Sequence, residues 1–81
     1  MTGAQLRAAR ALLGWTAQQL ADASAVSLAT IRRAEIDGGA VRMIAANAAA
    51  IVRALDAAGV EFIDPNGSGP GVRLKHPTAP Q

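Results

Sequence analysis

The sequence predicts a single, mainly α-helical domain of four helices that ends in a short β-hairpin. A chain of 81 residues with 51% hydrophobic content builds one small core and leaves no room for a second. Most of the apolar residues are alanines and only 2% of the chain is aromatic, which favours thin, closely packed helices over a large sheet core. Apolar residues recur at helical spacing as far as residue 58, and two β-prone runs follow.

Two capping-box patterns mark the first two helices. Thr2 is followed three residues later by Gln5, and Thr16 is followed in the same way by Gln19. In such a pair, the hydroxyl and the amide side chain each accept a hydrogen bond from the other residue's backbone N–H. Gly14 stands between the two patterns and suits a left-handed helix end. The expected ranges are residues 3–13 for the first helix and 16–23 for the second.

The third and fourth helices carry weaker boundary signals. Ser27 is an N-cap candidate, Ile31 and Ala34 lie three residues apart, and an Asp-Gly-Gly run then stops the third helix. No capping residue closely precedes the fourth helix, so its start lies between residues 42 and 45. The apolar stripe of the fourth helix is Ile44, Ala48, Ile51 and Leu55. The expected ranges are residues 27–35 for the third helix and 44–58 for the fourth.

The C-terminal quarter has a different pattern. Two short β-prone runs, 60–63 and 72–75, are separated by a loop rich in Pro, Asn, Gly and Ser, which predicts a β-hairpin. From residue 76 onward, prolines and polar residues indicate a frayed end. The expected organisation is a helical domain over 1–59, a hairpin extension over 60–75 and a flexible tail over 76–81.

Composition argues against several classes of function. There is no cysteine and His76 stands alone, so we expect no metal site and no cofactor. The sequence has no obvious nucleophile–base pair and no phosphate-binding glycine loop that opens a helix, so we do not expect an enzyme. Polar residues interrupt the Ala-rich stretch over 45–58, and no signal-peptide pattern is present. We therefore expect a soluble, cytoplasmic protein with no membrane partner.

The net charge of +2 is unevenly distributed along the chain. Residues 1–44 contain five Arg against three acidic residues, whereas the remainder contains three of each sign. Because many ordinary domains have a charge difference this small, it is only a weak indicator of nucleic-acid binding. The positions of the arginines matter more than their number.

The first three helices together resemble a known family of DNA-binding domains. Two short helices joined by a tight turn, the second opened by a hydroxyl cap, outline a helix-turn-helix. The segments Leu12–Thr16, Leu20–Ala21 and Val26–Glu35 look like the pattern of the XRE (phage repressor/Cro-like) family, and the resemblance covers roughly residues 4–58. In that family, a small residue, an apolar turn residue and a branched residue lock the two helices together. Here these positions are Ala21, Val26 and Ile31.

The resemblance implies a sequence-specific regulator of transcription, most simply a repressor, that binds duplex DNA. The third helix would enter the major groove, where an arginine such as Arg33 can bond bidentately to guanine. Thr16, at the start of the second helix, and Arg42, after the third, would hold phosphates. The alternative for Arg32 and Arg33 is an ordinary solvated helix face. The base-reading positions implied by the resemblance are Ser27, Leu28, Ala29, Arg32 and Arg33.

The resemblance also implies a structural ion pair and a homodimer. The family typically pairs an Arg of the first helix with a Glu at the end of the third, which here are Arg10 and Glu35. Trp15 is expected to pack over the second helix. One small DNA-binding domain contacts few bases, so we expect a twofold dimer that forms through helix 4 or the hairpin edge. The alternative is that the hairpin only covers the domain's own core.

Two departures from the family pattern keep a second function open. Ala25 stands in the turn where the family prefers Gly, and Ala17 stands where many relatives carry a phosphate-contacting Gln. Leu28 and Ala29 add apolar character to the surface that would read DNA. An apolar patch there is typical of a protein-binding surface, so the alternative is an antiactivator or antitoxin-like module that binds another regulatory protein.

Overall fold

The computed structural model has four α-helices followed by a two-stranded antiparallel hairpin. It describes residues 1–37, 43–64, 67 and 69–76. The mainly helical architecture with a small hairpin is thereby confirmed. The elements in chain order are α1 (Gly3–Leu13), α2 (Ala17–Ser24), α3 (Leu28–Asp37), α4 (Ala45–Ala57), β1 (Val60–Ile63) and β2 (Gly71–Leu74).

Both capping boxes form at the starts of the first two helices. The backbone N–H of Gln5 donates to Thr2 Oγ1 at 3.0 Å, and Thr2 N donates to Gln5 Oε1 at 2.8 Å. Gln19 and Thr16 make the same reciprocal pair at 3.1 and 2.7 Å. Gly14 ends α1 in the left-handed region, with φ at 67°. These local hydrogen bonds satisfy N–H groups that a helix start otherwise leaves without a partner.

The other helix boundaries differ from the expected ranges by one or two residues. The backbone N–H of Thr30 donates to Ser27 Oγ at 3.2 Å, so Ser27 caps α3 from outside the helix. At its other end α3 extends to Asp37, two residues beyond the expected end. Ile44 is the extended N-cap residue of α4 and makes no side-chain capping bond, and it is 67% exposed. Because it lies outside the helix, Ile44 does not continue the apolar stripe of α4.

The core lies between the helices and one face of the hairpin. Six of its side chains, three Leu, two Ile and one Val, are almost completely buried, and burying each contributes about 1.5–3 kcal/mol. The buried apolar residues are Leu6, Ala9, Leu20, Ala21, Val26, Ile31, Ala34, Ile51, Leu55 and Val60. Phe62, Val72 and Leu74 pack against this cluster, as does Trp15. The hairpin therefore covers the domain's own core.

Gln5 fastens the hairpin to α1. The strands pair in register from Val60 opposite Leu74 to Ile63 opposite Gly71. At the far end of this ladder, Gln5 Nε2 donates to the carbonyl of Gly71 at 2.9 Å and to that of Ile63 at 3.4 Å. The same side chain is therefore a helix cap through its oxygen and a link to both strands through its nitrogen.

No helix within the described residues is both long and apolar enough to cross a membrane.

The turn before α3 contains a strained alanine whose relief should be measurable. Ala25 has φ at 58° and ψ at 27°, the left-handed region in which a Cβ meets the backbone. We expect Ala25→Gly to raise the free energy of unfolding by about 1 kcal/mol, because glycine adopts this conformation without that clash. Thermal melts measure the change. The matched control is Ala23→Gly, in the helical, exposed part of α2, which should lower stability by about 1 kcal/mol. An Ala25→Gly protein that melts below the parent would contradict the strain.

Candidate functional site

The candidate site is built on α2, α3 and the three residues that join them. Val26 in this turn is only 4% exposed and packs with the buried Ala21 and Ile31. Ser24 holds the turn from inside, because its hydroxyl donates to the carbonyl of Leu20 at 2.7 Å and accepts from Val26 N at 3.3 Å. The turn is thus fixed by packing and by hydrogen bonds. Nothing in the local sequence pattern singled out Ser24.

The outward face of α3 carries both charged and apolar side chains. Four exposed residues of α3 lie three or four positions from one another, apart from the adjacent Arg32 and Arg33, and so form one continuous face: Ala29, Arg32, Arg33 and Ile36. We call these four residues the α3 face. Within the described residues, neither Arg32 nor Arg33 forms a hydrogen bond or an ion pair. Both side chains are exposed to solvent.

Ile36 is the residue of this face that sequence reasoning missed. It is 84% exposed, the largest exposure among the large hydrophobic residues that the structure describes. The signal that was available is its position seven residues after Ala29 on the same helical face. Because the third helix is expected to end at residue 35, Ile36 falls outside the predicted site.

Leu28 and Ser27 were expected to point outward as base-reading residues, but both also make contacts within the domain. Leu28 is half-buried and packs against the core, so only part of its side chain faces solvent. Ser27 is exposed, but its hydroxyl is engaged with Thr30: it donates to Thr30 Oγ1 at 2.8 Å while it accepts from the Thr30 backbone N–H. Both residues therefore also serve to start and seat α3.

The start of α2 is the second part of the candidate site. Thr16 is exposed and caps the helix, because its hydroxyl oxygen accepts a hydrogen bond from the backbone N–H of Gln19. Among the described contacts, the N–H groups of Ala17 and Gln18 carry no hydrogen bond, as is usual at a helix start. Helix starts favour anions, because these N–H groups and the helix dipole both point toward them. Arg42, the other expected phosphate contact, lies outside the described residues.

Arg10 and Glu35 form a bidentate ion pair between α1 and α3. Arg10 Nε and Nη2 each donate to a carboxylate oxygen of Glu35 at 2.7 Å, and the two side chains are only 21% and 9% exposed. Arg10 Nη1 also donates to the carbonyl of Trp15 at 3.0 Å. The hydrogen bond to Glu35, which outweighs the effect of burial, raises the pKa of Arg10 above its ordinary value. This pair therefore ties α3 both to α1 and to the turn before α2.

A second arginine reinforces the same connection. The guanidinium of Arg7 donates to the backbone carbonyl of Glu35, near the end of α3. Arg7 is otherwise exposed, so this hydrogen bond lies at the surface between α1 and α3. A positive charge near the end of a helix is also favourable, because the carbonyl groups there carry partial negative charge.

Among the described residues, no group of three or more His, Asp or Glu side chains could hold a metal ion. Comparisons with protein-family models, with curated proteins and with solved structures gave no match to this chain.

Proposed function

We propose that this protein is a sequence-specific regulator of transcription that binds duplex DNA through α2 and α3, in the manner of an XRE-type helix-turn-helix. The observation that carries the proposal is the α3 face, on which Arg32 and Arg33 have no partner among the described residues. The major groove of B-DNA is about 12 Å wide and admits one α-helix. A helix held rigidly by its turn and by the Arg10–Glu35 pair suits that use.

In this proposal the residues of α3 divide by the chemistry of what they contact. Arg33 is assigned a bidentate contact with guanine, and Arg32 a neighbouring base edge or phosphate. Ala29 and the exposed part of Leu28 contact thymine methyl groups, and Ser27 contacts a base edge at the start of the helix. The phosphate contacts fall to Thr16, through the start of α2, and to Arg42.

A homodimer completes the DNA-binding proposal. A single α3 spans only a few base pairs, which limits the specificity that one copy can reach. Two copies related by a twofold axis would place their α3 helices on half-sites about 34 Å apart, or a multiple of that distance. Because the hairpin packs on its own core, α4 is the better candidate for the contact between copies. Its outer surface is rich in alanine, which lets helices approach closely.

Ile36 favours a second candidate function. An isoleucine that is 84% exposed at the C-terminal end of a partly charged face is typical of a protein contact, where apolar anchors lie beside arginines. The second candidate is therefore an antiactivator or antitoxin-like module that binds another protein with the α3 face. The two candidate functions differ in which residue they require: DNA binding depends on Arg33, whereas protein binding depends on Ile36.

A salt-dependent titration tests DNA binding itself. We expect the protein to bind a fluorescent duplex from its own promoter region. The logarithm of the association constant should fall linearly with the logarithm of the salt concentration, with a slope of roughly −0.9 per phosphate contacted. Fluorescence anisotropy across a salt series measures this slope. Unlabelled duplex of unrelated sequence is the competitor, and the specific complex should survive it. Equal displacement by related and unrelated duplex, or no binding even at low salt, would contradict the proposal.

A further inference from the structure

A groove of about 360 Å³ lies between α1 and β2. Ala4 and Ala8 line it from α1, and Gly71 and Val72 line it from β2. We call it the α1–β2 groove. Because α1 packs mainly against β2 while α4 packs against β1, the groove lies at the β2 edge of the hairpin. Among the described residues that line it, none carries a charged side chain.

The polar side chains of the α1–β2 groove are already hydrogen-bonded within the domain. Thr2 Oγ1 accepts from Gln5 N, and Gln5 Oε1 accepts from Thr2 N. The amide nitrogen of Gln5 donates to the carbonyl of Gly71. A polar or charged group placed in the groove would lose water without gaining a new partner there, so the groove suits an apolar side chain.

The outer edge of β2 offers backbone hydrogen-bonding groups beside this groove. In an antiparallel ladder, alternate residues direct both their N–H and their C=O toward the neighbouring strand. The bond from Lys75 N to the carbonyl of Gly59, at 2.8 Å, fixes this alternation, so the backbone groups of Arg73 face β1. Those of Val72 and Leu74 point away from β1, and within the described residues they make no hydrogen bond. Such an edge is a template for another extended chain.

A second copy of β2 fits this edge poorly. Antiparallel pairing across a twofold axis brings Val72 opposite Val72, Val72 opposite Leu74, or Leu74 opposite Leu74. The last two registers place Arg73 opposite Arg73 or Lys75 of the other copy, and like charges at such positions are destabilising. The first register places Pro70, which has no N–H, opposite Leu74. The occupant that suits the edge is therefore a strand of different sequence.

We propose that the edge of β2 and the α1–β2 groove together bind an extended, apolar segment of a partner protein as a third strand of the sheet. The segment pairs with Val72 and Leu74 in the antiparallel direction, which is the slightly more stable one. Every second side chain of the segment then lies in the groove on Ala4 and Ala8. Backbone hydrogen bonds supply affinity, and the uncharged groove selects apolar side chains.

This site is separate from the other proposed contacts of the protein. Among the described residues, none from α3 or α4 lines the α1–β2 groove. A third strand bound there therefore uses neither the α3 face nor the outer surface of α4. The inference does not depend on what the α3 face binds.

The probe is a short peptide with capped ends in which valine alternates with threonine. We expect it to slow hydrogen exchange at the backbone amides of Val72 and Leu74 in NMR of the full chain, because both become hydrogen-bonded. The amide of Arg73 already bonds β1 and should change little. Methylating the valine nitrogens of the peptide should weaken binding about tenfold or more, because these N–H groups face β2. Methylating the threonine nitrogens, which face away from β2, should leave binding unchanged.

A variant of the groove and a matched control test the apolar contact. Ala8→Lys should weaken binding of the unmethylated peptide about tenfold, because it brings a charge into the groove. Ala23→Lys makes the same change at an exposed position of α2 and should bind as the parent does. Equal binding of the two methylated peptides, unchanged binding by Ala8→Lys, or no binding by the parent would overturn the proposal. So would slow exchange at Val72 and Leu74 without peptide, because a second copy or this chain itself would then cover the edge.

Discussion

Replacing Glu35 with alanine is expected to lower the free energy of unfolding by about 2–4 kcal/mol. The change leaves the Arg10 guanidinium, whose side chain is only 21% exposed, without the carboxylate that it bonds through two nitrogens. Breaking a fully buried pair in this way typically costs about 3–5 kcal/mol, and residual solvent access to Arg10 reduces the effect here. Denaturant or thermal unfolding of the parent and the variant measures the difference.

A double-mutant cycle separates the pair from the rest of each side chain. Arg10→Met keeps much of the arginine's volume but removes its charge, and we expect a coupling with Glu35→Ala of about 1–3 kcal/mol. The control is the exposed pair of Glu61 with Arg73, where Glu61→Gln should change stability by less than about 1 kcal/mol. A coupling of zero between positions 10 and 35 would mean that the two side chains do not meet in solution.

The elements of this fold that depend on neighbouring residues could be predicted from the sequence. Both capping boxes involve residues three apart, and the left-handed Gly14 ends the helix that precedes it. Their hydrogen bonds close within one helical turn, so the pattern of residue types is sufficient to predict them. The mainly helical architecture with a hairpin followed from these signals and from apolar periodicity.

The contacts that the sequence did not predict join distant parts of the chain. Gln5 was expected only as a cap, yet its amide nitrogen bonds carbonyl groups 58 and 66 residues away. Nothing in the local sequence specifies that link. A groove between α4 and β1 is a second example, because the residues that line it include Met1, Val52 and Phe62, which come from three separate segments of the chain. Such sites exist only once the helices and the hairpin have packed.

The candidate site was only partly predictable for the same reason. Arg32 and Arg33 are exposed where helical periodicity places them. Leu28 is half-buried because α3 packs against α1 and α2, and tertiary packing of this kind cannot be inferred from the spacing of residues on α3 alone. Ile36 belongs to the site because α3 continues past the expected end. Leu28 is thus a poor test residue, since changing it also disturbs the core.

Arg33 and Ile36 therefore provide the sharpest choice between DNA and protein as the partner of the α3 face. If DNA is the partner, Arg33→Ala should weaken binding by about 1–3 kcal/mol and relax specificity at one base pair. Ile36→Ala removes no group that can hydrogen-bond a base, so affinity for DNA should change little. Arg53→Ala, which removes the same charge from an exposed position of α4, is the control for net charge.

The most direct measurement is the affinity of these three variants for duplex DNA from the protein's own promoter region, at one fixed salt concentration and with folding checked by thermal melts. The DNA-binding account predicts a loss of roughly five- to 150-fold for Arg33→Ala, with Ile36→Ala and Arg53→Ala both close to the parent. The account is contradicted if Arg33→Ala binds the duplex as the parent does while Ile36→Ala no longer binds it, with both variants fully folded.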